Sequence, residues 1–187
     1  AGSRKSEITV LMPILLNFIK LMNQKFTDMT YVFHSIKEYS QLFQSIINKS
    51  GLSNCEIVSD DKIKLHILQK SVFAVAKSGT ISLEISNAKI PSITLYKMGF
   101  INFLIIKTLV KTKYANIINF AANEEIIPEL LQSNCNSKNI FNHVSNFLEN
   151  PNKIKNQVEK VQKILNELKT NGSSSELASL SLNKFLQ

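Results

Sequence analysis

Apolar residues Ile8, Leu11, Leu15, Phe18 and Met22 recur at alternating intervals of three and four, the spacing of one face of an α-helix. Ser3 or Ser6 is placed to cap that helix, and Glu7 suits its positive end. Pro13 falls inside the pattern and predicts a kink or a late start. Beyond this helix the period switches repeatedly. Tyr31–His34, Cys55–Val58, Phe73–Ala76 and Ser92–Tyr96 are short, β-prone runs, and Asn116–Phe120 reads as a last strand. Between them, Tyr39–Ile47, Lys62–Gln69, Thr80–Asn87 and the very apolar Phe100–Leu109 carry helical patterns. Asn48 to Gly51 stops the first of these, and Pro91 introduces the strand at Ser92. The tail is helical, with one stripe over Asn139–Leu148 ended by Pro151 and a second through Ile154, Val158, Val161, Leu165 and Leu168.

Strands alternating with helices predict an α/β fold, a Rossmann-like parallel sheet flanked by helices, with a helical C-terminal tail. Such sheets hold ligands at the carboxyl ends of their strands. Gly2-Ser3-Arg4, Ser78-Gly79-Thr80 and Asn119 are expected there. The stretch Val72 to Glu84 reads as strand, small-residue turn and helix. Glycine lets a ligand approach the backbone closely, and a helix start offers unpaired N–H groups to phosphate. Most strand-to-helix turns in α/β proteins bind nothing, so the turn alone defines no site.

The chain has 187 residues, enough for one domain with a real core and short for two. We expect residues 1–170 to form that domain. The segment 171–187 reads as a serine-rich linker and a last helix, either packing locally or reaching as an arm to another domain or a second subunit. The net charge is +8 and favours anionic partners. The lysines are scattered, with no aromatic-basic interleaving, so nucleic acid is not an expected partner. Cys55 and Cys135 are far apart, as are His34, His66 and His143. The cysteines read as free thiols of a reducing compartment, and neither a metal nor a cofactor is expected. The N-terminus has no signal-peptide pattern, and the longest apolar run, Met98–Leu109, is interrupted by Asn102 and Lys107. A cytoplasmic location follows as the expectation. Phe100, Phe103 and Leu104 beside Lys107 and Lys111 suit either a core helix or one lying on a membrane surface.

Five ordered blocks carry a family resemblance. Gly2-Ser3-Arg4 with Glu7-Ile8 resembles a Pro-Gly-Ser-Arg-x-x-Glu-Ile/Val turn and helix. Ala76-Lys77-Ser78-Gly79-Thr80-Ile81-Ser82-Leu83-Glu84 resembles Ala-Ser-Gly-Thr-x-x-Leu-Glu, with Lys77 as an extra or shifted residue. Pro91 to Tyr96 resembles Pro-x-Val-x-x-Tyr, and Leu109 to Tyr114 resembles Leu-Val-Lys-x-x-Tyr. Asn119, Asn123-Glu124-Glu125 and Pro128-Glu129-Leu130-Leu131-Gln132 complete the series. Over residues 2–132 the chain resembles the C-terminal, nucleotide-binding half of the lipid-A-disaccharide synthases, glycosyltransferases of the GT-B class.

The resemblance implies transfer of diacylglucosamine from a UDP donor to diacylglucosamine 1-phosphate, giving lipid A disaccharide 1-phosphate and UDP. It implies an enzyme of Gram-negative lipopolysaccharide synthesis, peripheral on the cytoplasmic face of the inner membrane. An isolated half is expected to bind UDP weakly and turn nothing over, the general base being expected in the other half. Arg4 is the natural partner for the diphosphate, since its fork takes two phosphate oxygens. Ser78, Gly79 and Thr80 would add donors, Glu84 would accept from ribose hydroxyls, and Asn119 would contact donor sugar or phosphate. Glu125 and Gln132 are further donor-site candidates, with Glu125 equally suited to capping a helix. The C-terminal helices allow a homodimer. Two other readings stay open. One is another GT-B UDP-sugar enzyme, such as an epimerase or a cell-wall glycosyltransferase. The other is a non-catalytic α/β module that binds anions.

Overall fold

In the computed structural model, which describes residues 2–97 and 113–168, helix α1 runs unbroken over Lys5–Asn23. The apolar stripe explains it. Ile8, Leu11, Met12, Leu15, Leu16, Phe18, Ile19 and Met22 are all buried, each contributing about 1.5–3 kcal/mol relative to exposure. Pro13 lies on the exposed side, so the ladder bond it removes faces water, and the helix passes through it without the late start that its position suggests. By length and composition α1 is apolar enough to cross a membrane, but its stripe is the centre of the main core.

The described strands are all parallel, as the alternating pattern predicts, and they form two ladders. β1 (Tyr31–His34) pairs with β2 (Cys55–Val58) in the register Tyr31 to Cys55. Between them a short 3-10 turn, Lys37–Tyr39, leads into α2, Ser40–Ser50. Gly51, at φ 74, ends α2 in the left-handed conformation that an L side chain adopts only with strain. Helix α3 (Asp61–Lys70) follows β2, with Asp60 accepting from the amides of Lys62 and Ile63 at 2.8 and 3.2 Å. The second ladder has the order β3 (Ala74–Lys77), β4 (Ser92–Tyr96), β5 (Glu129–Leu131). Helix α4 (Ile81–Asn87) connects β3 to β4. Phe33, Ile93, Leu95 and Leu130 from both ladders pack with α1 and with Phe43 and Ile47 of α2 in one apolar cluster.

One strand is corrected. Asn116–Phe120 is not a strand; Ile117–Ala122 forms helix α5. Asn116 caps it, its side chain accepting from the Ile118 amide at 2.8 Å. Ile118 and Asn119 are buried while Ile117 and Phe120 face out, a helical burial pattern that the β-branched pair conceals. The last described strand is instead β5, entered through Pro128, where Leu130 fills the core. Helix α6 (Ser137–Leu148) and helix α7 (Pro151–Leu168) follow, with Pro151 in the first-turn position that tolerates its missing N–H. Gln157 pins α7 to the start of β4, accepting from the Ser92 amide at 2.8 Å and donating to the Ser92 carbonyl at 3.0 Å. Expectations for Phe100–Leu109 and for the segment 171–187 lie outside the described residues.

Candidate functional site

The carboxyl ends of β3 and β4 finish at Lys77 and Tyr96. The α1 start is brought to them by a single carboxylate. Glu7, with a side chain 12% exposed, meets the Lys77 ammonium at 2.9 Å. It also accepts from the Ser3 amide at 3.2 Å and meets Arg4 Nη1 at 3.5 Å. Gly2 has φ 111, and a Cβ there would stand 2.6 Å from Glu7 Oε2. Glycine is therefore required both by angle and by the carboxylate packed against it. Burial by itself raises the Glu7 carboxyl; hydrogen bonding and charge from Lys77, with smaller help from Ser3 and Arg4, outweigh it and hold the group below the usual range. Lys77 Nζ also lies 5.9 Å from the centre of the Tyr96 ring, a cation–π distance.

The Ser78-Gly79-Thr80 turn follows β3 directly. The Ser78 amide donates to Leu95 O at 3.0 Å, and its hydroxyl donates to Ala115 O at 2.6 Å. That hydroxyl proton therefore ties the turn to the segment entering α5. Gly79 has φ 156, and a Cβ there would meet nothing within 4 Å. Its backbone angle, rather than crowding, calls for glycine. Gly79 and Thr80 are exposed.

Glu84, in the first turn of α4, is half-exposed and pairs with Lys64 at 2.8 Å. Lys64 comes from α3, is 14% exposed, and also meets Asp61 at 3.1 Å. Its ammonium is held above the usual lysine range, first by the hydrogen bond to Glu84. His34, at the end of β1, lies 3.8 Å from Asp61. Burial first, then the Lys64 charge, lowers its pKa. A second polar group thus forms on α3, α4 and the end of β1. Gln132 sits just past β5, at φ 48.

Asn119 and Glu125 are placed elsewhere. Asn119 is fully buried beside the loop entering β5, not at the carboxyl ends of the strands. Its Oδ1 accepts from the amides of Ile126 at 2.9 Å and Ile127 at 2.8 Å. Its Nδ2 donates to Ile127 O at 2.6 Å and Glu129 Oε1 at 2.8 Å. Both ends of this amide are engaged inside the protein, where the sequence reading put a donor contact. Glu125 is exposed and accepts from the Glu129 amide at 3.0 Å; it closes the loop and caps no described helix. It also borders an open cavity of about 170 Å³ against α7, on the side where Gln157 holds the start of β4. The membrane-facing candidates Phe100, Phe103, Leu104, Lys107 and Lys111 lie outside the described residues. Among the described residues no group of three or more His, Cys, Asp or Glu is arranged to hold a metal ion.

Two residues gain importance that sequence reasoning did not give them. Lys64 had no signal, because its partner lies in another helix. Lys77 had one: it is the position at which the small-residue block departs from the family pattern.

Parallel strands under helices, with small-residue turns at the carboxyl ends, define an α/β domain of the Rossmann-like type. The family model described as lipid-A-disaccharide synthetase matches residues 1–182, and the chain belongs to that family. It is 35% identical over 180 residues to a lipid-A-disaccharide synthase of Rickettsia prowazekii (strain Madrid E), covering 95% of this chain and 47% of that protein. It is 34% identical over 168 residues to the synthase of Rickettsia typhi (strain ATCC VR-144 / Wilmington), covering 90% and 44%. A synthase of Sulfurihydrogenibium sp. (strain YO3AOP1) is 30% identical over 188 residues, covering 96% and 48%. The chain spans about half the length of the curated relatives it matches.

Proposed function

We propose that this chain is the donor-nucleotide-binding part of a hexosyltransferase of lipid A synthesis. The reaction moves diacylglucosamine from UDP to diacylglucosamine 1-phosphate, giving the disaccharide 1-phosphate and UDP. One observation carries the placement of the donor: the Glu7–Lys77 pair holds the Gly2-Ser3-Arg4 turn against the end of β3, beside Ser78-Gly79-Thr80. Arg4 remains 78% exposed there.

The chemistry follows from charge. As the sugar–phosphate bond breaks, negative charge grows on the leaving diphosphate, and fixed cations and N–H donors stabilise that charge. Arg4 offers a bidentate fork, and the exposed Gly79–Thr80 turn, which follows Lys77 by two residues, offers backbone donors. Glu84, oriented by Lys64, accepts from the ribose hydroxyls. Gln132, just past β5, is a further donor contact. No residue here is assigned as the base that deprotonates the acceptor hydroxyl, and this chain alone binds UDP weakly without turnover. Peripheral contact with the cytoplasmic face of the inner membrane, through the apolar and basic stretch Phe100–Lys111, belongs to the same reading. So does a homodimer through the C-terminal helices.

Calorimetric titration with UDP and ADP tests this. UDP should bind more tightly than ADP, and Arg4→Ala and Glu84→Ala should each weaken UDP by about 10- to 100-fold, the range of a lost hydrogen bond to a charged group. Equal affinity for UDP and ADP, or binding unchanged in both variants, would move the donor away from this site.

A further inference from the structure

Two cations share one oxygen of Glu7. Lys77 Nζ lies 2.9 Å from Oε1, and Arg4 Nη1 lies 3.5 Å from the same atom. The lysine holds the shorter contact. It is fixed from behind, since it ends strand β3 and sits over the Tyr96 ring. Arg4 is on the exposed turn, with its side chain 78% exposed. The carboxylate between them is 12% exposed. A carboxylate so enclosed is costly without a counter-ion. Among the described residues, Arg4 is the other cation in contact with it. With an uncharged side chain at 77, the guanidinium would fold onto Glu7. A guanidinium that grips a carboxylate through its fork has lost the geometry it needs for two phosphate oxygens.

We infer that Lys77 is a positioning residue for the donor diphosphate: by neutralising Glu7 it limits Arg4 to one long contact with that carboxylate and leaves the rest of the guanidinium fork to meet the anion. This rests on the proposed role of Arg4. It also accounts for a lysine at the position where the block departs from the family pattern. Lys77 acts through Glu7 and Arg4 and need not touch the donor.

The test is a UDP titration of this chain at one salt concentration. It compares wild type, Lys77→Met, Lys77→Arg, Glu7→Gln and the double variant Glu7→Gln/Lys77→Met, with urea midpoints recorded to check folding. Lys77→Met should weaken UDP by about tenfold, and Lys77→Arg should stay near wild type. The double variant should recover most of the lost affinity, because a neutral amide in place of the Glu7 carboxylate no longer captures Arg4 while still accepting from Ser3. Recovery is the outcome that a lost structural contact would not give. Wild-type affinity in Lys77→Met overturns the inference. So does a double variant as weak as the single one, which would make Lys77 a direct phosphate contact. Arg4→Ala separates the two levels. If wild type binds no UDP, or if Arg4→Ala binds it normally, the reading of Arg4 fails and takes this inference with it. If Arg4→Ala weakens binding and the double variant does not recover, the inference alone fails.

Discussion

Asn119→Ala removes four hydrogen bonds at once. The Ile127 amide and carbonyl lose their partner in a residue only 1% exposed, and a buried orphaned group costs about 1–3 kcal/mol. The Ile126 amide is half-buried and adds less. Glu129 Oε1 keeps the Asn116 amide at 2.9 Å, so its loss is partial. The sum is about 3–6 kcal/mol, a large part of the 5–15 kcal/mol typical of a domain. With a urea m-value of about 1–3 kcal/mol/M, the midpoint should fall by about 1 M or more. Far-UV circular dichroism in urea reads this directly. Asn119→Asp sharpens the test. It retains the acceptors for Ile126 and Ile127 but sets a charged oxygen 2.8 Å from Glu129 Oε1, so it should be destabilised at neutral pH and recover in acid. A variant that unfolds at the wild-type midpoint and yet loses UDP binding would overturn this structural role. Asn119 would then be a donor contact rather than the support of the loop entering β5.

Two further outcomes are expected. Tyr31 has a buried hydroxyl without a hydrogen-bond partner among the described residues, and burial, then the Cys55 thiol, pushes its pKa up to about 12. Tyr31→Phe keeps the edge-on ring contact with Phe18 at 6.3 Å, so it should be neutral or up to about 1 kcal/mol more stable; clear destabilisation in urea would show that the hydroxyl has a partner. Glu7 has a folded pKa held below its model-compound value of 4.5, so its stabilising contribution is complete above that value and fades as pH falls through the folded pKa. The gap in unfolding free energy between wild type and Glu7→Gln, about 1–2 kcal/mol for a partly buried pair, should therefore be present near neutral pH and close in acid, and a gap independent of pH would exclude the Lys77 pair as its source.

Much of the architecture was legible in the sequence. Short β-prone runs located β1 to β4, and the stripe of α1 announced the core, because burial selects for side-chain spacing that the chain carries openly. The blocks around Arg4 and Ser78 were readable for a similar reason: glycine and small residues are demanded by local backbone angles. The fifth strand was hidden because Glu129–Leu131 is only three residues long, while Ile117-Ile118 imitates a strand by its β-branching. Asn116, capping from outside the apolar pair, makes it helical.

Local pattern was therefore enough for the class of fold, the family and the order of the turns along the chain. What the polar residues do depended on packing. Asn119 looked like a ligand contact by position in a motif, yet burial and four bonds to groups 7 to 10 residues away in sequence engage it internally. Lys77 looked like an interruption, yet it lies across from Glu7, 70 residues earlier in the chain, at 2.9 Å. Periodicity records which side of an element faces inward. It does not record which charge on another element stands opposite, because that pairing exists only once the sheet and helices have packed.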